Sequence, residues 1–559
     1  MKHIKDLLSF IYGRGCGEDL FLQLNSLLDA RRAAVPRRGR KQKISCRDAF
    51  LIAYADMLSG SGGETALSRL ARFVSAFNKG SFSYLHLLPF HPYSSDDGFS
   101  VIDYTQVDGR FGGWNDLETL KTIPAGKEKL RLAFDLVVNH GSVQSKWFRE
   151  FLAGTKEYAS YYIIRDKNYD SRGVFRPRTH PLLSEFKKEN GEPVWVWTTF
   201  SADQADYDFS NPKVLFEFIT VLLDYARRGA GIIRLDAIAY LWKEDGTRCL
   251  HHPKTHAVVK LFRAIIDYLE LPVLLLTETN VPHDENISYF GAGTTGLDGL
   301  EAHMVYNFAL PPLVLHASLS GDAGPLREWA KTLPARAQGR YFLNFLASHD
   351  GVGLTPAQGL IDPAAFAATV EKAKQRGALV SCKSGPDGDV PYELNCSYAS
   401  IVAPKELGPV ELRAKAFLAA YAALFFLSGL PAVYFHSWIG SEAWTEGPQK
   451  LGYNRAINRE KPDVSRVEAE LACERSFRRL VYNGFQKMLA YRASQELFDP
   501  ECTQKALDAP AAVFAVERSK GKKSMICLVN FSRDKTRWTD KKGGITQALG
   551  PFEARIILK

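Results

Sequence analysis

The sequence predicts a (β/α)8 barrel with a small domain inserted after the third strand and an antiparallel β domain toward the C-terminus. Three observations carry this. Short runs that are apolar on both faces recur along the chain, segments of helical periodicity separate them, and the alternation gives way near the end to short β-like runs.

The strand-like runs are Phe50–Tyr54, Tyr84–Pro89, Leu132–Val138, Ile232–Leu235, Val273–Thr277, Tyr341–Leu346 and Ala432–Phe435. They do not alternate apolar with polar residues, which marks strands buried on both sides in a parallel sheet. Helical periodicity lies between them, as in Lys213–Ala226, Lys254–Leu269 and Leu412–Leu427. This many strand–helix units favour a closed barrel over an open doubly wound sheet. Roughly a hundred residues separate the runs at Leu132 and Ile232, too many for one crossover helix. The Arg-, Pro- and Tyr-rich stretch over residues 141–206 reads as the inserted domain. A long helix is expected over Ala472–Ala493, followed by short β-like runs at Ala512–Val516, Ser524–Asn530 and Ala554–Leu558. The expected organisation is a helical extension over 1–45, the barrel over 46–495 and the β domain over 496–559.

The chain has 559 residues, 46% of them hydrophobic and 24% charged, a globular composition too long for one small core. No apolar run reaches the length of a bilayer span, and Met1–Phe10 lacks the apolar centre and cleavage site of a signal peptide. No membrane association is expected. The eight cysteines are scattered with no C-x-x-C pair, which argues against a zinc site or a disulfide framework and fits a reducing cytoplasm. Part of the net charge of +9 sits in Arg31–Lys43, but no aromatic residue interleaves with those cations. A solvated linker is expected there, and no nucleic-acid partner.

Active sites of (β/α)8 barrels lie at the C-terminal ends of the strands. Four strands here end in suitable chemistry. Leu132–Val138 carries Asp135 and runs into Asn139-His140, Ile232–Leu235 carries Arg234 and ends in Asp236, Val273–Thr277 ends in Glu278, and Tyr341–Leu346 runs toward His349-Asp350. One such acid is more often a helix cap than a catalyst. Four in this order make a candidate site.

These blocks, D-L-V-V-N-H at Asp135–His140, G-I-I-R-L-D-A at Gly231–Ala237, Glu278 and S-H-D at Ser348–Asp350, resemble the four signature regions of the α-amylase superfamily, glycoside hydrolase family 13. Leu88–Tyr104, Arg176-Pro177-Arg178, Trp197–Phe200, Pro391-Tyr392-Glu393 and N-R-A-I-N-R at Asn454–Arg459 are similar to its sucrose phosphorylase branch. The resemblance runs from about residue 46 to the C-terminus and implies retaining glucosyl transfer. That chemistry needs two carboxyl groups ~5–5.5 Å apart, one ionised and one protonated. Asp236 suits the nucleophile, with Arg234 beside it holding it low, and Glu278 the general acid/base. The resemblance implies that Asp350 grips sugar hydroxyls and that His140 and His349 bond the same sugar. It places Asp96 and Arg455 as a charged pair at the far hydroxyls, Phe99 and Phe200 as apolar walls, Gln204 and Asp206 in the same pocket, and Arg178 and Tyr392 at phosphate or the leaving group. It implies no metal and no cofactor, only inorganic phosphate as co-substrate beside a small glucoside.

The leaving group is less sharply indicated. Asn280 stands two residues after Glu278 where sucrose phosphorylases tend to carry His. The whole-chain likeness, including Ile287–Gly293 and Ala302–Leu315, is greatest to the glucosylglycerate phosphorylases. The resulting expectation is phosphorolysis of 2-O-α-glucosyl-D-glycerate to α-glucose 1-phosphate. Sucrose, sucrose 6′-phosphate and glucosylglycerol remain open, as does an α-glucosidase or transglucosidase; a catalytically dead relative is disfavoured by the complete set of acids.

Overall fold

The computed structural model describes residues 1–36, 43–291, 300–385, 388–540 and 544–559. Arg37, Arg38, Arg40 and Lys41 of the basic stretch, and Ala292 and Gly293 of the Ile287–Gly293 segment, lie outside these residues.

Eight parallel strands close into a barrel in chain order: β1 Phe50–Ala53, β2 Tyr84–Leu87, β3 Arg131–Val137, β4 Ala230–Asp236, β5 Leu274–Thr277, β6 Met304–Tyr306, β7 Tyr341–Asn344 and β8 Leu430–Tyr434, which returns to β1. Seven coincide with the apolar runs of the sequence. The eighth, β6, has three residues, too few for a recognisable run. Almost every strand residue is buried, as expected of a sheet covered on both faces.

Register sets the chemistry of the strand ends. Leu235 of β4 pairs with Thr277 of β5, so the next residues, Asp236 and Glu278, leave the barrel side by side. Arg234 of β4 pairs with Asp135 of β3, which brings opposite charges together at one level.

The helices begin at capped positions. Asn211 caps Pro212–Arg227 and His252 caps Pro253–Tyr268, each accepting from a backbone N–H and each followed by proline, which lacks the N–H that a first helical residue does not use. The helix expected over Ala472–Ala493 starts later, at Phe477, and a separate helix ends at Ala472. Val464–Ala472 ends at Cys473, and Phe477–Ser494 starts where the Ser476 hydroxyl accepts from Arg479 N–H. Apolar periodicity continues across the break, so the sequence pattern hides it.

The stretch between β3 and β4 holds a short antiparallel pair, His140–Ser142 with Gln204–Asp206, and a hairpin of Leu183–Lys187 with Pro193–Trp197. Beyond the barrel, Thr503–Ala506, Val513–Lys520, Lys523–Asn530 and Ala554–Leu558 form an antiparallel sheet, and Thr536–Thr539 pairs with Thr546–Leu549. A separate small core of Val513, Ala515, Ile526, Leu528, Trp538 and Leu549 fills this region.

Before β1, α1 (Lys2–Tyr12) and α2 (Arg14–Arg31) pack on each other and on the barrel helices. Leu20, Leu24 and Leu28 of α2, four residues apart, present one buried face. Gly17 permits the close approach of the pair, since a Cβ there would lie 2.6 Å from the Ser9 backbone. Tyr12 Oη donates to Phe209 O at 2.9 Å, and Arg31 pairs with Asp224 at 3.0 Å. Among the described residues no helix is long and apolar enough to cross a membrane, and all eight cysteines are free.

Candidate active site

A cavity of about 790 Å³, counting its open mouth, lies at the C-terminal ends of the barrel strands. Its wall contains Asp236, Glu278 and Asp350 together with Asp96, Phe99, His140, Arg178, Phe200, Gln204, Arg234, Asn280, His349, Tyr392 and Arg455. Of the residues the sequence nominated for the site, Asp135, Asn139 and Asp206 are buried and do not line the cavity; the others do.

The floor is a chain of charges. His86 Nε2 meets Asp135 Oδ2 at 2.7 Å, Arg234 Nη1 donates to the other Asp135 oxygen, and the same nitrogen donates to Asp236 Oδ1 at 2.7 Å. Burial raises Asp135, but His86 and Arg234 overcome it and hold that carboxyl down at about 2. After Asp236 the chain turns through Ala237, a non-glycine residue in the left-handed region at φ 49°. Such a conformation costs on the order of 1–3 kcal/mol and concentrates at functional sites. The Ala237 N–H donates to Glu278 Oε2 at 3.0 Å, so one strained turn fixes the second carboxyl against the first.

Burial is the largest influence on both carboxyls and raises both; Arg234 opposes it. Arg234 therefore does not hold Asp236 low as the sequence suggests: burial and the charge of Glu278 together exceed the guanidinium's pull. The pair therefore retains a proton above the ordinary carboxylate range. Within the pair, Asp236 touches a guanidinium, whereas the bond to Glu278 comes from a backbone N–H.

A second cluster faces the first. Arg455 forks onto Glu393 with bonds of 3.0 and 2.8 Å and reaches Asp350 Oδ1 at 2.6 Å. Burial pushes Asp350 up, but Arg455 and Arg459 hold it below its usual value. The expected Asp96–Arg455 pair is not a direct contact: Asp96 accepts from Gln204 Nε2 at 3.3 Å, while the Arg455 fork is taken by Glu393. Asp96 and Asp97 are both left-handed, at φ 53° and 48°, and Asp97 binds Arg459 at 2.6 Å. Asn458 Nδ2 donates to the Ser348 and Asp350 carbonyls, so the N-R-A-I-N-R segment braces the S-H-D segment.

The two histidines are packed against aromatic walls. Phe99 stacks on His349 with centroids 4.9 Å apart, and Phe200 lies 5.0 Å from His140. Burial depresses both imidazoles, His140 to about 4, so both are neutral near pH 7. Arg178 looks onto the rings of Phe200 and Tyr392. Asn280 presses on Gly353, where a Cβ would fall 2.5 Å from its Oδ1.

Sequence reasoning missed Glu393, although it quoted the P-Y-E motif containing it. The signal is a β-bulge: Ser381 pairs with Glu393 and Cys382 with Pro391, leaving Tyr392 as the extra residue. The bulge breaks the alternation of faces, so Tyr392 and Glu393, though adjacent, both reach the cavity. Also missed was Lys243. Its ammonium, 2% exposed, lies 2.6 Å from Asp206 Oδ2 and donates to Asn139 Oδ1 at 2.6 Å. Asp206 also accepts from the Thr199 amide and hydroxyl, next to Phe200. This knot joins three walls of the cavity. Lys243→Met is expected to destabilise the protein by about 3–5 kcal/mol, because it leaves Asp206 buried without its counter-charge. Urea unfolding followed by circular dichroism measures it, and a loss below about 1 kcal/mol would contradict the role.

Among the described residues, no group of three or more His, Cys, Asp and Glu side chains is placed to hold a metal ion.

The family model of the α-amylase catalytic domain matches residues 81–351. The chain is 47% identical over 536 residues to a glucosylglycerate phosphorylase of Spirochaeta thermophila, covering 95% of this chain and 89% of the relative. It is 39% identical over 563 residues to a glucosylglycerate phosphorylase of Allomeiothermus silvanus, covering 99% of this chain and 98% of the relative. Among solved structures, sucrose 6F-phosphate phosphorylase from Thermoanaerobacter thermosaccharolyticum superposes with a TM-score of 0.75 at 25% identity, over 91% of this chain and 99% of that one.

Proposed function

We propose that this chain, which belongs to the α-amylase superfamily and within it to the sucrose phosphorylase branch that includes the glucosylglycerate phosphorylases, moves glucose from 2-O-α-glucosyl-D-glycerate to inorganic phosphate with retention of configuration. The observation that carries this reading is the pair at the cavity floor: Asp236 gripped by Arg234, and Glu278 beside it on the next strand, bonded to the amide that follows Asp236.

In the first step an Asp236 oxygen attacks the anomeric carbon. The glycosidic bond breaks, and its oxygen takes the proton from Glu278. In the second, phosphate attacks the glucosyl ester from the face the leaving group vacated, losing its proton to the Glu278 carboxylate. Two displacements at one carbon restore the α configuration. Asp350, held by Arg455 and Arg459, takes sugar hydroxyls beside His349. Asp96 and Gln204 hold the other side of the ring, and Arg178 with Tyr392 faces the departing glycerate and the arriving phosphate. A guanidinium forks onto either oxyanion, which favours phosphate over water.

The test is a panel of α-glucosides with phosphate, followed by NMR. The expected result is α-glucose 1-phosphate, with kcat/KM for glucosylglycerate at least about tenfold above sucrose, sucrose 6′-phosphate and glucosylglycerol, the 1.4 kcal/mol that one charge-assisted contact supplies. The β-phosphate, or free glucose in place of the phosphate ester, overturns the reaction; a better substrate than glucosylglycerate overturns the leaving group alone.

A further inference from the structure

One ammonium near the cavity has no role in the chemistry above. Lys383 lies on the strand Leu379–Gly385, cross-strand from the segment that carries Tyr392. Its Nζ sits 5.5 Å from the Tyr392 ring centroid and 5.3 Å from that of Phe175, and it donates to Thr355 Oγ1 at 3.4 Å. Among the described residues no carboxylate stands within ion-pair distance of it. Arg248, exposed, looks onto the same Phe175 ring from 5.7 Å and likewise has no ion pair with a described residue. Arg178 lies 6.0 Å from the other side of this group, at Tyr392. The acid whose charge reaches Lys383 is Glu285, and it is engaged with His251 at 3.0 Å.

Three cations thus surround two rings at the leaving-group end. Lys383 and Arg248, neither in an ion pair with a described residue, repel one another, and the half-burial of Lys383 weakens the solvent screening that would relieve this. Burial, followed by the charge of Arg248, holds the Lys383 ammonium below the usual lysine range. An arriving anion removes both penalties. The aromatic faces leave it no competing acceptor, and the four-carbon stem of Lys383 carries three donors past the edge of Tyr392.

We infer that Lys383, assisted by Arg248, forms the outer half of an oxyanion site at the leaving-group end, and that this half sets the preference for a charged leaving group over a neutral one. The inference rests on the phosphorolytic reading above. Its ligand is a small oxyanion, either the glycerate carboxylate before the first displacement or inorganic phosphate before the second.

Three enzymes decide it: wild type, Lys383→Met and Lys383→Arg. Each is assayed with glucosylglycerate and with glucosylglycerol, which differs in lacking the carboxylate, and then with glucosyl fluoride while phosphate is varied. Loss of one charge-assisted contact predicts a fall of roughly 10–100-fold in kcat/KM for glucosylglycerate in Lys383→Met, with less than about threefold on glucosylglycerol and substantial recovery in Lys383→Arg. A selective fall on glucosylglycerate assigns the site to the carboxylate. A rise of about tenfold or more in the phosphate KM with glucosyl fluoride assigns it to phosphate, and either result supports the site. Equal losses on the charged and neutral glucosides with an unchanged phosphate KM, or no change in any arm, overturn it. If the wild type itself fails to turn over glucosylglycerate, the leaving-group reading falls separately, and the phosphate arm still judges Lys383.

Discussion

Asp236→Asn is expected to remove turnover by a factor on the order of 10⁴ or more while leaving the fold intact, because a neutral amide cannot form the glucosyl ester. The side chain keeps its shape, and Arg234 keeps its second partner, Asp135, so the buried guanidinium is not left alone. The thermal midpoint should therefore move by only a few degrees while the rate collapses. Single-turnover mass spectrometry supplies an independent check: wild type treated with glucosyl fluoride in the absence of phosphate should accumulate a glucosyl adduct on Asp236, and the Asn variant none. Substantial activity in a cleanly purified variant would remove Asp236 from the mechanism.

The second large effect belongs to Glu278, and it is selective. Glu278→Gln cannot donate a proton, so glucosides with poor leaving groups should slow by about 10²–10⁴-fold. Glucosyl fluoride needs little protonation, and its first displacement should stay within about tenfold of wild type. The pH profile follows from the direction of the shift. Burial raises the Glu278 pKa above the ordinary carboxylic value, and the first step uses the protonated form. In the wild type, kcat/KM should accordingly fall on the alkaline side as pH rises through that raised pKa. The limb should vanish in Glu278→Gln. A falling limb that persists in the variant would assign the titration to another group.

The barrel was legible because its strands are buried on both faces, and burial leaves an unbroken apolar run in the sequence. Where that signature failed, the cause is local. β6 holds only Met304–Tyr306, and the helix break before Phe477 falls between two segments whose apolar periodicity is continuous. The carboxyls were legible for a similar reason, since each stands at the end of such a run. Glu393 was not, because a bulge in a small antiparallel sheet separate from the barrel decides which way it faces. Lys243 was not, because nothing in its neighbourhood in sequence signals that Asp206 and Asn139 will meet it. Paired charges distant in the chain become visible only through the fold. The same limit applies to the proton of the Asp236–Glu278 pair, whose position depends on how completely the cavity excludes water.

The helical pair α1–α2 finds its polar partners at Phe209 and Asp224, nearly two hundred residues farther along. During synthesis this pair leaves the ribosome well before the surface it needs has been made. Ile4, Leu7, Leu8, Ile11, Leu20, Leu24 and Leu28, all buried in the finished protein, are in that interval an apolar face without a home. Loop closure over such a span carries an entropic cost that only late contacts repay. The docking of α1–α2 accordingly waits until the chain as far as Tyr268, the end of the helix on which α1 packs, has been made.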